Sequence, residues 1–135
     1  MYECPSNIGF ILSLIPDCMC GLIDSNPYHM TLPIDETDST HQIDNVSTFL
    51  YHKIQDYEKC NMDILLHDTH GKSRCCAVIT NIIMMTEKMN YRNAYMKVKA
   101  VYPEAYIQYY LREYLNKKDI VYDNKNIEKA ISRQL

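Results

Sequence analysis

Eight residues, His67-Asp68-Thr69-His70-Gly71-Lys72-Ser73-Arg74, separate two apolar runs, Ile64-Leu65-Leu66 and Ala77 to Met85. A short apolar run, a tight polar loop and a longer apolar stretch read as strand, loop and helix. That order constrains the fold, because a strand that turns straight into a buried helix belongs to an α/β layer architecture. It also sets the chemistry of the turn. Such a loop points successive backbone N–H groups inward, and the helix behind it adds its positive end. Arg74 completes a cradle for an oxyanion.

The rest of the chain alternates in the same way. Ile8 to Ile15 is a continuous apolar run closed by Pro16-Asp17, as in a buried strand. Leu22-Ile23 suits a short second piece, and Asp24-Ser25-Asn26-Pro27 is turn chemistry. Tyr28 to Leu32 alternates and enters Pro33, as an edge strand would. Residues 34–42 are polar and read as a surface loop. Ile43, Val46, Phe49, Leu50, Ile54 and Tyr57 recur at three and four residues, which predicts an amphipathic helix. Met62 to Leu66 is a short buried strand leading into the loop. Arg74 to Lys88 is apolar nearly all round, so that helix belongs at the centre of a domain. Asn90 opens another helix, with Ala94, Tyr95, Val98 and Val101 facing inward. Pro103 suits a first helical position, with Ala105, Ile107, Tyr110, Leu111 and Tyr114 continuing the pattern. Asp123 or Asn124 would cap an extra C-terminal helix over about 123–135. No repeat or long linker divides the chain, so residues 1–135 are expected to form one domain.

Composition removes several function classes. A net charge of -3 gives no basic field for nucleic acid, which is not an expected partner. No run of eighteen apolar residues predicts a membrane span. No basic segment precedes the first apolar run, and Pro5 and Pro16 flank it, so no secretory signal is expected. A cytoplasmic protein follows from these readings. The six cysteines are Cys4, Cys18, Cys20, Cys60, Cys75 and Cys76, and none of their spacings suits zinc. They read as reduced, structural thiols, with neither metal nor cofactor expected. The 12 Tyr against 2 Phe, with abundant Ile, Asn and Lys, fit an AT-rich coding sequence such as that of many large DNA viruses.

The spacing His67-x-x-x-Gly71-x-x-Arg74 resembles the phosphate loop His-Cys-x-x-Gly-x-x-Arg of the cysteine-dependent dual-specificity phosphatases. The resemblance runs from about Ile8 to Leu115. Tyr91 to Lys99 is similar to the family's A-x-x-x-V-K helix, and Leu32-Pro33-Ile34-Asp35-Glu36 to its I-P-x-x-D general-acid segment. The resemblance implies a small dual-specificity phosphatase-like α/β fold, with a central, mostly parallel sheet flanked by helices. It also implies roles. The family's nucleophile is a thiolate of low pKa, and Asp68 stands in its place. Arg74 holds the phosphate-binding position, Asp35 or Glu36 the general-acid position (Asp38 competes), and Cys75 the position of a catalytic hydroxyl. Tyr102-Pro103 stands where Arg-Pro is usual.

A carboxylate at the nucleophile position repels a phosphate dianion. Cys75 lies beyond Arg74, where the helix has begun, and cannot replace the missing thiol. A thiol is also a weak donor in the hydroxyl's place. Two departures in one loop point to natural loss of catalysis, a pseudophosphatase that acts by binding protein partners, scaffolding or competing with active relatives. A poxvirus relative of the vaccinia-type phosphatase, acting in host cytoplasm, fits the composition; a homodimer is one expected state. Two alternatives stay open. One is an active protein phosphatase carrying an engineered replacement at Asp68. The other is a remnant of the RNA 5′-phosphatase branch, whose His-Cys-Thr-His-Gly variant His67, Thr69, His70 and Gly71 resemble; Ser73 before Arg74 instead follows the protein phosphatases. Within the loop, Arg74 is expected to pair with Asp68, His67 to serve as a structural hydrogen-bonder, and His70 and Lys72 to stand at the rim. Tyr106, Tyr109, Tyr110 and Tyr114 are expected to pack in the core and groove.

Overall fold

The computed structural model describes residues 8–15, 29–34, 40–68 and 73–118. Three strands, β1 (Ile8–Ser13), β2 (His29–Thr31) and β3 (Asp63–His67), form one parallel sheet in the order β2-β1-β3. The helices are α1 (Thr40–Glu58), α2 (Arg74–Glu87), α3 (Tyr91–Val101) and α4 (residues 109–118). This is an α/β architecture with a parallel sheet packed against helices, as the order of apolar runs predicted.

Side chains alternate across β1, so Phe10, Leu12 and Leu14 share a face, and that face meets the helices. Ile43, Val46 and Leu50 of α1, Ala77, Val78, Ile82 and Met84 of α2, Tyr91, Ala94 and Val98 of α3, and Leu111 and Leu115 of α4 join them in one core. Ile64 and Leu66, paired with Phe10 and Leu12, pack against the same cluster. As expected for a central helix, α2 buries eight residues on several sides, Thr80 and Asn81 included.

Gly9 lies where the β1–β3 register shifts, between Ile8 and Phe10. A Cβ there would stand 2.8 Å from the Tyr57 ring and 2.9 Å from the Met62 sulfur. The missing side chain lets the end of α1 and the turn after it close over the irregular strand.

Three helices are tied by one polar cluster. Asp44 of α1 accepts from Asn81 Nδ2 of α2 at 3.1 Å and from Lys118 Nζ and Tyr114 OH of α4. Asn81 Nδ2 also donates to Ser47 Oγ at 2.9 Å, and Lys118 Nζ donates to Asn81 Oδ1 at 3.0 Å. Each buried polar atom of Asn81 thus has a partner, which removes the cost of burying an amide in the core.

Four expectations need correction. The polar stretch 34–42 is not all loop, because α1 begins at Thr40, ahead of its apolar stripe. Helix termini need no buried face, so apolar periodicity undercounts them. No helix starts at Pro103. Pro103-Glu104 is a turn closed by Ala105 N–H to Tyr102 O at 3.0 Å, and α4 begins at residue 109. Ala105 and Ile107 are buried on either side of exposed Tyr106, the period of an extended segment rather than a helix. Val101, expected inward, is 88 % exposed at the end of α3. Tyr106, Tyr109 and Tyr110 are 58 %, 58 % and 56 % exposed, so of the four tyrosines assigned to packing only Tyr114 lies against the core. The Leu22-Ile23 strand and the 123–135 helix lie outside the described residues, as do Cys4, Cys18 and Cys20.

Two predictions follow from the packing. Gly9→Ala should destabilise the chain by about 1–3 kcal/mol, the usual cost of overpacking. Urea unfolding with an unchanged slope and a lower midpoint would show it, and an unchanged midpoint would refute the close approach. Burial alone would raise the Asp44 carboxyl, but its bonds to Lys118, Tyr114 and Asn81 outweigh burial and hold it below its ordinary value. A carboxyl depressed in the folded state stabilises above its unfolded pKa of about 4, and that contribution is lost as pH falls through the lower folded value. Asp44→Asn should therefore be less stable than the parent at neutral pH, with the gap closing in acid. A gap independent of pH would contradict this.

Candidate functional site

The loop begins where β3 ends. His67 closes the strand, and its carbonyl accepts from Leu14 N–H at 2.8 Å, which fixes the exit of β3 beside β1. Asp68 follows at once and is 7 % exposed. The chain returns at Ser73, the residue capping α2, and Arg74 is the first residue of that helix. Thr69, His70, Gly71 and Lys72 lie outside the described residues. So do Asp35, Glu36 and Asp38, and the candidates for the general-acid position are therefore not placed. Of the predicted site residues, His67, Asp68, Ser73, Arg74 and Cys75 are brought together.

The head of α2 is capped in an unusual way. Ser73 makes no side-chain bond to its own helix. Instead the Cys75 N–H, one of the free donors in the first turn, donates to Asp68 Oδ2 at 3.1 Å. The capping carboxylate comes from seven residues upstream, across the loop. A buried negative charge at a helix N-terminus is favoured by the unpaired N–H groups and by the helix dipole, by about 0.3–1 kcal/mol when exposed and up to ~2 kcal/mol when partly buried. An N–H to carboxylate bond adds roughly 1.5–3 kcal/mol before the cost of drying the carboxylate. Asp68 thus occupies a donor that a bound oxyanion would use.

The same carboxylate acts on the neighbouring thiols. Burial pushes the Cys75 thiol far above the ordinary cysteine value, and the Asp68 charge adds to the rise; the Arg74 guanidinium opposes it and is outweighed. Burial first, and then Asp68, push Cys76 up to about 11. A nucleophilic thiol needs the opposite shift. Cys75 and Cys76 are buried, reduced thiols with the character of small hydrophobes, as the sequence suggested; Cys60 is reduced and exposed.

Sequence reasoning missed what supports the site. Ser73 Oγ accepts from Gln108 N–H at 3.1 Å, which ties the loop's end to the extended segment before α4. Tyr95 OH donates to Ala105 O at 3.0 Å and holds that segment against α3. Both contacts join residues far apart in sequence with no motif linking them. The consequence is that exposed Tyr106, Tyr109 and Tyr110 flank a residue bonded to the loop.

A parallel sheet, a strand that leads through a short connection to a central helix, and the helices packed around it define a phosphatase-like fold. The likeness extends to solved structures. A leucine-rich repeat and phosphatase domain containing protein from Entamoeba histolytica superposes with a TM-score of 0.67 at 20% identity, covering 89% of this chain and 77% of that one. A mouse putative dual specificity phosphatase gives 0.67 at 16% identity, covering 90% and 75%. The human tyrosine phosphatase-like serine/threonine/tyrosine-interacting protein gives 0.63 at 18% identity, covering 86% and 79%. No known family profile and no curated protein sequence matches the chain.

If Asp68 is the resident anion of the loop, Asp68→Ser should cost about 1–2 kcal/mol in phosphate-free buffer, the scale of a lost helix cap. The vacated donors should then take an external anion, so phosphate should raise the melting temperature of the variant more than that of the parent. Equal phosphate dependence in both chains would refute self-liganding.

Proposed function

We propose that this chain is a pseudophosphatase, a phosphatase-like protein that acts by binding a protein partner and does not turn over phosphate esters. The observation that carries the reading is the bond from Cys75 N–H to the buried Asp68 carboxylate. Asp68 stands at the position of the family's thiolate, and it repels the dianion that the loop would otherwise attract. Arg74, the first residue of α2, is proposed to pair with this carboxylate, which would close the cradle from the other side. The two described thiols next to the loop are pushed away from the thiolate form. Covalent phosphoryl transfer has no nucleophile among these groups.

Binding then falls to the surface around the loop. Tyr106, Tyr109 and Tyr110 present three exposed rings beside Gln108, and the Arg112 guanidinium lies 5.8 Å from the Tyr109 ring centre. Tyrosine and arginine are enriched at the centres of protein interfaces, where a flat apolar ring with one polar end desolvates cheaply. The fold neighbour described as a tyrosine phosphatase-like, serine/threonine/tyrosine-interacting protein supports the idea that this architecture can serve as a binding module. The partner is a protein in the cytoplasm. No helix among the described residues is long and apolar enough to cross a membrane.

The chain should show no turnover of an aryl phosphate above an Arg74→Ala control, in metal-free buffer across the neutral range. Asp68→Cys should restore at most weak activity. Adding Cys75→Ser should raise it by on the order of tenfold to a hundredfold, since a proper hydroxyl donor returns to the transition state. Turnover by the parent chain would overturn the reading, as would full activity from Asp68→Cys alone. In a proteomic pull-down, the paired change Tyr109→Ala with Tyr110→Ala should lose protein partners that the parent retains. Competition by 5′-triphosphate RNA would instead favour an RNA-end binder.

A further inference from the structure

Among the described residues β3 is an edge of the sheet, although it carries the loop and its sequence is apolar. In a parallel ladder alternate residues turn their backbone groups toward one neighbour. His67 O accepts from Leu14 N–H, so Asp63, Leu65 and His67 face β1. The N–H and C=O of Ile64 and Leu66 therefore point outward, away from β1. An apolar edge without a charged residue in its centre is a template for another strand.

The helical face beside this edge is also open. A groove of about 770 Å³ is lined by Leu50, Ile54, Met62, Ile64, Leu66 and Ile79. A second, about 320 Å³ and almost wholly apolar, is lined by Leu66, Ile79, Ile83, Val98, Val101 and Tyr102. Leu66 and Ile79 belong to both, so the two join in one trough beside β3, apolar around Leu66 and Ile79, with Glu58, Asn61 and Asp63 also in the lining of the larger groove. The exposed Val101 stands on its far wall.

We propose that β3 pairs antiparallel with β3 of a second copy of this chain, across a two-fold axis at Leu65, to form a continuous six-stranded sheet. The sequence Asp63-Ile64-Leu65-Leu66-His67 is self-complementary about that axis. Ile64 falls opposite the second copy's Leu66, and both turn their backbone groups outward, so each such pair exchanges two N–H···O bonds, four in all. Leu65 meets its own symmetry mate in the close, non-hydrogen-bonded position, on the face away from the helices. Asp63 falls opposite the second copy's His67 at both ends, an acid against an imidazole, which disfavours a slipped register. Ile64 and Leu66 of the second copy then project on the helical face into the trough. A parallel arrangement would set Asp63 against Asp63 and lose this match. The proposal is independent of the loop chemistry and of the partner surface at Tyr106–Tyr110.

Sedimentation velocity on the full chain should show a concentration-dependent dimer. Amide exchange at Ile64 and Leu66 should slow as concentration rises. Leu65→Lys sets two like charges directly opposite and should weaken association by about tenfold or more. Should that variant fail to fold, a cysteine cross-link decides the register. With Cys4, Cys18, Cys20 and Cys60 changed to Ser, Leu65→Cys should oxidise to a covalent dimer, while Ile64→Cys, which faces Leu66, should not. A chain that stays monomeric at all concentrations would overturn the proposal. So would a dimer that survives Leu65→Lys and gives no Leu65→Cys cross-link, or protection of Ile64 and Leu66 that appears only when an unrelated apolar peptide is added.

Discussion

The bond between the Asp68 carboxylate and the Cys75 N–H joins the end of β3 to the head of α2, and the rest of the molecule is arranged around that junction. A buried helix start leaves several N–H groups without helical partners, and they must be satisfied or solvated. In a loop built for phosphate, an incoming ligand does this work. Here a side chain of the loop does it. Asp68 therefore caps the helix at the centre of the core. Burial first, and then its charge, favour the protonated form of the adjacent thiols.

Around this junction the fold uses two kinds of attachment. Apolar packing gathers β1 and the four helices into one cluster with α2 in its middle. Polar contacts then fix relative positions that apolar packing would leave adjustable. The Asp44–Asn81–Lys118–Tyr114 cluster locks α1 and α4 to the middle of α2. At the N-terminal end of α2, Ser73 and Gln108 lock the helix start to the segment that displays the three tyrosines. Such stiffness would serve the binding surface proposed for this segment, because every side chain ordered on association costs entropy. The contrast lies at β3, which among the described residues pairs only with β1.

The elements that periodicity revealed are those whose apolar faces are long and regular. β1, β3, α1, α2 and α3 were legible for that reason, within a few residues at their ends. The stretch from Pro103 to Gln108 was not. Ala105, Ile107 and Leu111 fit a helical reading and an extended one until the Tyr95–Ala105 and Ser73–Gln108 contacts select the second. The exposed ends of helices misled in the same way, since Val101 and Tyr110 sit on an apolar stripe but beyond the reach of the core.

Local sequence determined a good deal. The succession of strand and helix on either side of residues 69–72, the Asp that follows the strand, the adjacent thiols at the helix start and the capping Asn90 follow from short-range chemistry and spacing. Three things required the tertiary structure. They are the capture of a helix donor by Asp68 from across the loop, the pairing of Asp44 with residues 37 and 74 positions away, and the placing of β3 at an edge of the sheet among the described residues. The physical reason is common to all three. A hydrogen bond between distant residues depends on where separate elements come to rest, and that is settled by the packing of the whole core rather than by any segment's own preference.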